Sequence, residues 1–208
     1  MEHMVICIGR QYGSGGREIG ERLAQKLGIN CYDKLLIKKA AEISGLNEEY
    51  ISREEEKPAN PLWYLSGNIF ADTAGIGAAF YSGSEVIYNA EKAAIEQIAQ
   101  RESCVIIGRS ASEILRNKGC FSVFIYADGH DRIARVSARN GIDEKEASER
   151  IRKIDKMRQR YFNAYSETGW GKAESYDLLL SGSRFGVENC ADLIISAISM
   201  TEGGVSNE

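Results

Sequence analysis

The sequence predicts an α/β fold in three layers, a mostly parallel sheet covered by helices on both faces. Three observations carry this. Short continuous apolar runs recur along the chain, as expected for strands buried on both faces. Longer stretches between them repeat apolar residues every three or four positions, the period of a helix. Glycine, acidic and basic residues stand where the strands end, and open parallel sheets bind their ligands at those carboxyl ends.

Val5, Ile6, Cys7 and Ile8 form the first apolar run, ended by Gly9. Beyond Arg17 the spacing changes: Ile19, Leu23 and Leu27 recur every four residues, and Gly28 closes the helix as a C-cap. Residues 30–33 read as a second strand and residues 35–43 as a helix ending near Gly45. A helix over 90–99 precedes a third strand over 104–107, cut by Gly108. A fourth strand spans 121–126, followed by charged helices over 131–139 and 145–162. A fifth strand over 176–180 and an amphipathic helix over 187–198 complete the pattern. The strand ends carry Gly9, Asp33, Gly108 and Arg109, Ala127 and Asp128, and Ser181 and Gly182. Residues 54–89 break the alternation. They hold both prolines, Pro58 and Pro61, with Trp63, Tyr64, Phe70, Phe80 and Tyr81 among glycines and serines. The aromatic content predicts a small insertion packed over the sheet that closes on a substrate.

Composition narrows the function. The 208 residues, 43% apolar, suit one domain with a sizeable core. A net charge of -4 provides no global basic field for a nucleic acid polymer or an acidic membrane. No stretch approaches the roughly 18 apolar residues of a membrane span, so a cytoplasmic protein is expected. Cys7, Cys31, Cys104, Cys120 and Cys190 are odd in number and widely spaced, without a CxxC pair. That argues against a disulfide framework or a zinc site. The two histidines, His3 and His130, sit in a frayed N-terminus and at the start of a charged helix.

The chemistry is predicted between the first strand and the first helix, in Gly9-Arg10-Gln11-Tyr12-Gly13-Ser14-Gly15-Gly16-Arg17. Glycines let successive backbone N–H groups converge, and the helix adds the positive end of its dipole. Together they make a cradle for a di- or triphosphate. A dinucleotide fingerprint fits less well, because the string lacks the G-x-G-x-x-G order.

This loop, the helix after it and Gly28-Ile29-Asn30-Cys31-Tyr32-Asp33 resemble the opening of cytidylate kinases. More narrowly, Arg-Gln-Tyr-Gly-Ser-Gly-Gly-Arg-Glu-Ile-Gly resembles the cytidylate kinase-like group. The resemblance implies a P-loop nucleoside triphosphate hydrolase fold with a five-stranded sheet over residues 1–208. It implies an acceptor-binding insertion over 46–89, a lid-like helical segment over 140–172, and ATP with Mg²⁺. The standard loop is G-x-x-x-x-G-K-[ST]. In one register Gly16 falls at the lysine and Arg17 at the hydroxyl residue. A one-residue shift puts Arg17 at the lysine and Glu18 at the Mg²⁺-binding place. Neither completes the motif. Gly13, Ser14, Gly15, Gly16, Arg17 and Glu18 are therefore the predicted donor-binding residues, with Glu18 a candidate for the metal or an acid favoured in a helix's first turn.

Further candidates come from the same resemblance. Val105-Ile106-Ile107-Gly108-Arg109-Ser110 resembles the segment whose arginine grips the acceptor phosphate, with Ile107 where the family has an aspartate. Asp33 and Lys34 stand where the fold faces the acceptor, although Asp33 also reads as a plain helix cap. Asp155-x-x-Arg158 matches the lid pattern in which the acid recognises base or sugar and arginines meet phosphates. Arg150, Arg152, Arg158 and Arg160 share that helix, and Arg132, Arg135 and Arg139 the one before it. Either a solvated, ion-paired helix or a phosphate site explains them. Arg17, Arg152 and Arg158 are the predicted charge-stabilising residues. Tyr161, Tyr165, Trp170 and Tyr176 read as packing between lid and sheet, or as a base-stacking surface. The implied activity moves a γ-phosphoryl group from a nucleoside triphosphate to a nucleoside monophosphate or other small phosphate-bearing acceptor, in a monomer or homodimer. Two rivals remain: a nucleotide-binding regulatory protein without transfer, and a kinase of a non-nucleotide metabolite.

Overall fold

In a computed structural model, residues 3–33, 36, 38, 39, 41, 42, 45 and 83–203 are described. At the centre lies β1 (Val5–Arg10), whose residues Val5 to Ile8 are buried on both faces, as their unbroken apolar run requires. The strand runs past Gly9 because Arg10 still pairs with Ile125. β2 (Asn30–Tyr32), β3 (Cys104–Ile107), β4 (Phe121–Tyr126) and β5 (Leu178–Ser181) complete a five-stranded sheet of order β2-β3-β1-β4-β5. All its pairings are parallel, with Ile8 level with both Ile107 and Val123. The fifth strand starts at Leu178 rather than at 176, since Tyr176 instead packs its ring on Phe124 at 5.0 Å.

Helix α1 (Gly16–Leu27) buries Ile19, Leu23 and Ala24 against Ile6, Ile8, Val105, Ile107, Val123 and Ile125. Helix α2 (Gly83–Arg101) and the short α3 (Ala111–Ile114) precede β4. Helices α4 (Gly129–Asn140) and α5 (Glu144–Ala164) follow it, and α6 (Gly182–Gly203) is interrupted at Gly186. Cys190, Ala191, Ile194 and Ile198 of α6 join the layer formed by α1. The alternation of strand side chains sends Phe124 to the opposite face, where Phe162 of α5, Trp170 and Tyr176 cover it. The tyrosine and tryptophan cluster predicted near the Gly-Trp-Gly turn thus includes packing partners of the sheet.

Two compact units are distinguished, residues 1–33 with 95–208, and residues 34–94, with the division inside α2. The sheet belongs to the first. In the second, Leu36, Lys38, Lys39, Ala41 and Glu42 are helical where residues 35–43 were expected to be, and Lys39 pairs with Glu42 at 2.9 Å. Helix α2 starts at Gly83, inside the stretch 54–89 expected to be a small insertion, and so begins before the helix expected over 90–99. Lys34 and residues 46–82, with both prolines, lie outside the described residues. Among the described residues no helix is long and apolar enough to cross a membrane. The five cysteines are free, and Cys7, Cys104 and Cys190 are buried.

Candidate functional site

The glycine-rich loop joins β1, in mid-sheet, to α1. Gly13 and Gly15 hold φ of 79° and 84°, values that residues with a Cβ rarely adopt. Gly15 is the N-cap of α1 and provides no side-chain cap. The first intrahelical bond is donated by Ile19 to the Gly15 carbonyl at 2.9 Å, so the first-turn N–H groups have no intrahelical acceptor. Those amides and the helix dipole favour an anion. Ser14 is buried and its hydroxyl donates to the Gln11 carbonyl at 2.9 Å, which tightens the turn.

Two helices clamp this loop from outside. The Asp155 carboxylate on α5 accepts the Tyr12 N–H at 2.7 Å and forms an ion pair with Arg132 of α4. Arg132 also donates to the Tyr12 carbonyl at 2.8 Å, and Arg135 to the Gly13 carbonyl at 2.5 Å. The guanidinium groups of Arg139 and Arg158 lie 5.0 and 5.5 Å from the centre of the Tyr12 ring, on which such cations are attracted. The lid acid expected to read a base or sugar thus has its carboxylate engaged by the loop and a buried arginine.

A cavity of about 50 Å³ opens between the ends of β1 and β3. Arg10, Arg109 and Arg158 line it, with Ser110, Tyr161 and Tyr176. Arg158 donates to the Arg10 carbonyl at 3.1 Å, fixing α5 to the strand end. Burial pushes the Arg109 guanidinium down to about 10, with Tyr161 opposing and Arg10 adding to the shift. Burial, reinforced by Arg10, pushes Arg158 down to about 9. Burial also lowers Arg10, while Asp33 opposes this. All three remain cationic near neutrality, so the cavity concentrates positive charge. Gly108, Arg109 and Ser110 have φ of 80°, 56° and 51°, three left-handed residues in succession. Such a backbone costs about 1–3 kcal/mol per non-glycine residue and recurs where a ligand is bound. The Ser110 hydroxyl is buried without a hydrogen-bond partner among the described residues and borders the same cavity. It is a polar group left for an incoming oxygen.

The predicted residues divide accordingly. Gly13, Ser14, Gly15 and Gly16 form the loop, and Arg109 and Arg158 meet at the cavity. Arg17 is half-exposed and turns to Glu21 at 2.9 Å and Asp33 at 3.4 Å. Its hydrogen bond to Glu21 raises its pKa. Asp33 also lies 3.6 Å from Arg10, so its carboxylate serves two arginines. Arg152 is exposed and does not line the cavity. Among the described residues no cluster of three His, Cys, Asp or Glu side chains is placed to hold a metal. Mg²⁺ needs only one or two carboxylates when phosphates provide the rest. Glu18, half-buried in the first turn of α1, makes no ion pair among the described residues and fits that requirement. Arg10 was not singled out as a site residue in the sequence, and Arg132 only as one of several helix arginines open to either reading. Arg10 had a signal: counting back from Gly15, it stands at the first glycine of G-x-x-x-x-G-K-[ST].

Comparison with known proteins adds three findings. An uncharacterized protein from Eubacterium ventriosum ATCC 27560 is 29% identical, with a TM-score of 0.71, over 95% of this chain and 99% of that one. Shikimate kinase from Bacteroides thetaiotaomicron is 13% identical, with a TM-score of 0.56, over 94% of this chain and 98% of that one. A gluconokinase from Sinorhizobium meliloti 1021 is 16% identical, with a TM-score of 0.51, over 98% of each chain. These last two likenesses show the fold of P-loop kinases. No curated protein matches the sequence. The model of the cytidylate kinase-like family matches residues 5–184, and with that match over most of its length the chain belongs to the cytidylate kinase-like family.

Proposed function

We propose that this protein transfers the γ-phosphoryl group of ATP to a small acceptor carrying its own anionic group, a nucleoside monophosphate or similar metabolite. The observation that carries the reading is the pairing of a glycine-rich loop with an arginine-lined cavity at the carboxyl ends of the interior strands β1 and β3. The uncapped amides of the glycine loop suit the donor phosphates, and the Arg10, Arg109 and Arg158 cavity suits the acceptor. In the step, the bond from γ-phosphorus to the bridging oxygen of ADP breaks as one to an acceptor oxygen forms. An acceptor phosphate oxygen carries no proton, so no general base is required. Glu18 is the residue that would hold Mg²⁺, and the ion would supply charge neutralisation at the donor phosphates. The chain's part is positioning and charge: Arg109 and Arg158 orient the acceptor, and residues 140–172 bring α5 over the loop as a lid.

A second reading has its own support. Ile107 replaces the family's acceptor-site acid, and the Asp155 carboxylate is occupied by Tyr12 and Arg132. The one carboxylate expected to read a base or sugar is thereby engaged elsewhere, and the acid usual at position 107 is missing, which favours a phosphorylated or carboxylated metabolite without a base. The absence of a lysine at Gly16 leaves nucleotide binding without transfer as the regulatory alternative. ATP consumption across nucleoside monophosphates and small phosphorylated or carboxylated sugars separates the three. With the best acceptor, R109A is expected to raise the acceptor KM by about tenfold or more and leave the ATP KM within about twofold. ATP binding without turnover on any acceptor would defeat the phosphotransferase reading.

A further inference from the structure

The missing lysine poses a question of charge: something must meet the phosphoryl group in flight. Resting on the phosphotransferase reading, we infer that Arg10 provides this cation, contacting the transferred group from position 10 instead of position 16. The two positions have exchanged their contents. The motif has glycine first and lysine after its second glycine, whereas this chain has arginine first and Gly16 after Gly15.

The packing explains why the exchange is coupled. A Cβ on Gly16 would lie 2.6 Å from the Arg10 Cβ, 3.1 Å from its Cγ and 3.3 Å from the Ile125 Cβ. The arginine stem therefore fills the space from which a lysine stem at 16 would depart. Glycine at 16 is a requirement of that stem. The side chain then reaches β3, where its Nη1 lies in the place a Cβ of Gly108 would take. A left-handed glycine there, φ 80°, leaves room for the guanidinium. Arg10 thus begins beside the donor loop and ends among the residues of the acceptor cavity. The transferred phosphoryl group must cross this interval.

Its other contacts hold it there. Asp33 lies 3.6 Å from one Nη, and Arg158 donates to the Arg10 carbonyl at 3.1 Å. The neighbouring arginines have other engagements: Arg17 with Glu21, Arg132 with Asp155, Arg135 with the Gly13 carbonyl. A guanidinium stays protonated and presents a planar fork of N–H donors that matches phosphoryl oxygens. Arg10 takes no proton. It stabilises charge on the equatorial oxygens while one P–O bond breaks and the other forms.

The test uses the full chain and variants R10M, R10G, G16K and R10G/G16K. R10M keeps a stem against Gly16 and removes only the charge, so it separates chemistry from packing. Calorimetry with Mg²⁺ compares ADP with a non-hydrolysable ATP analogue, and turnover is measured on the best acceptor. R10M and R10G are expected to bind the analogue about tenfold more weakly, leave ADP within about twofold, and lower kcat about 100-fold or more. G16K alone should fare no better, because the two stems collide. R10G/G16K is expected to regain about tenfold over R10G in analogue affinity and in kcat. Unchanged analogue preference and kcat in R10M would overturn the inference. So would a folded R10G/G16K protein that stays at the R10G level. Wild-type protein that binds neither nucleotide overturns the phosphotransferase reading along with it. Wild-type protein that binds both, with R10M unaffected, overturns the role of Arg10 alone.

Discussion

Asp155 shows how a single side chain changes meaning once its neighbours are known. Its carboxylate joins the loop N–H of Tyr12 to the guanidinium of Arg132, which is buried. Removing one partner of such a pair leaves an uncompensated charge, so D155A is expected to cost about 3 kcal/mol or more in denaturant unfolding. Because the lost acceptor belongs to the loop proposed to bind the donor, the KM for ATP should rise while the ranking of acceptors stays the same. A changed acceptor ranking with an unchanged ATP KM would return Asp155 to base recognition. Gly13 is a second test. A Cβ there would meet the Val136 Cγ2 at 2.9 Å and the Arg132 carbonyl at 3.0 Å, at a φ that alanine resists. G13A is expected to cost about 1–3 kcal/mol and to weaken ATP binding, read by thermal melts and calorimetry.

Among elements, α1 and α6 are tied at the surface as well as in the core. Arg22 donates to Glu188 at 2.7 and 2.8 Å, and Lys26 pairs with Glu188 and Asp192. The hydrogen bonds from Arg22, and then from Lys26, pull Glu188 down to about 2 from its ordinary 4.5. A folded pKa below the unfolded one contributes stability that is present above about 4.5 and lost as pH falls toward about 2. The melting-temperature gap between wild type and E188Q should therefore be small but measurable at neutral pH. It should shrink below pH 4.5 and close near pH 2. High salt should narrow it as well, because these groups are exposed. A gap that does not depend on pH would mean that E188Q acts by packing rather than by charge.

At the scale of the molecule, stability rests on the apolar layer between the sheet and helices α1 and α6. Leu23 is fully buried in it, so L23A is expected to cost about 2–5 kcal/mol by denaturant titration. The site opposes this layer energetically: three arginines share a small cavity beside a run of left-handed residues. A ligand that neutralises them should stabilise the fold. Saturating MgATP at about 100 times its Kd should add about 2.7 kcal/mol to the unfolding free energy. A phosphate-bearing acceptor added afterwards should raise the melting temperature further in wild type and much less in R109A.

The sequence alone determined the alternation of strands and helices, the parallel sheet and the glycine-rich loop between its first strand and first helix. Runs such as Val5 to Ile8 and the glycines around Ser14 state local preferences of backbone and burial, which read out along the chain. It also presented Arg109 and Arg158, through spacing that resembles a family pattern. What it did not determine is who faces whom. Tyr12 and Asp155 are 143 positions apart, and Arg132 and Asp155 belong to different helices. Only packing decides that this acid holds the loop. Arg10 and Gly16 were likewise plain to read one by one, but their dependence is a matter of volume: one stem excludes the other. Local composition writes secondary structure into a sequence, whereas side-chain contacts across the fold depend on the shape of the space between elements, which only the tertiary structure supplies.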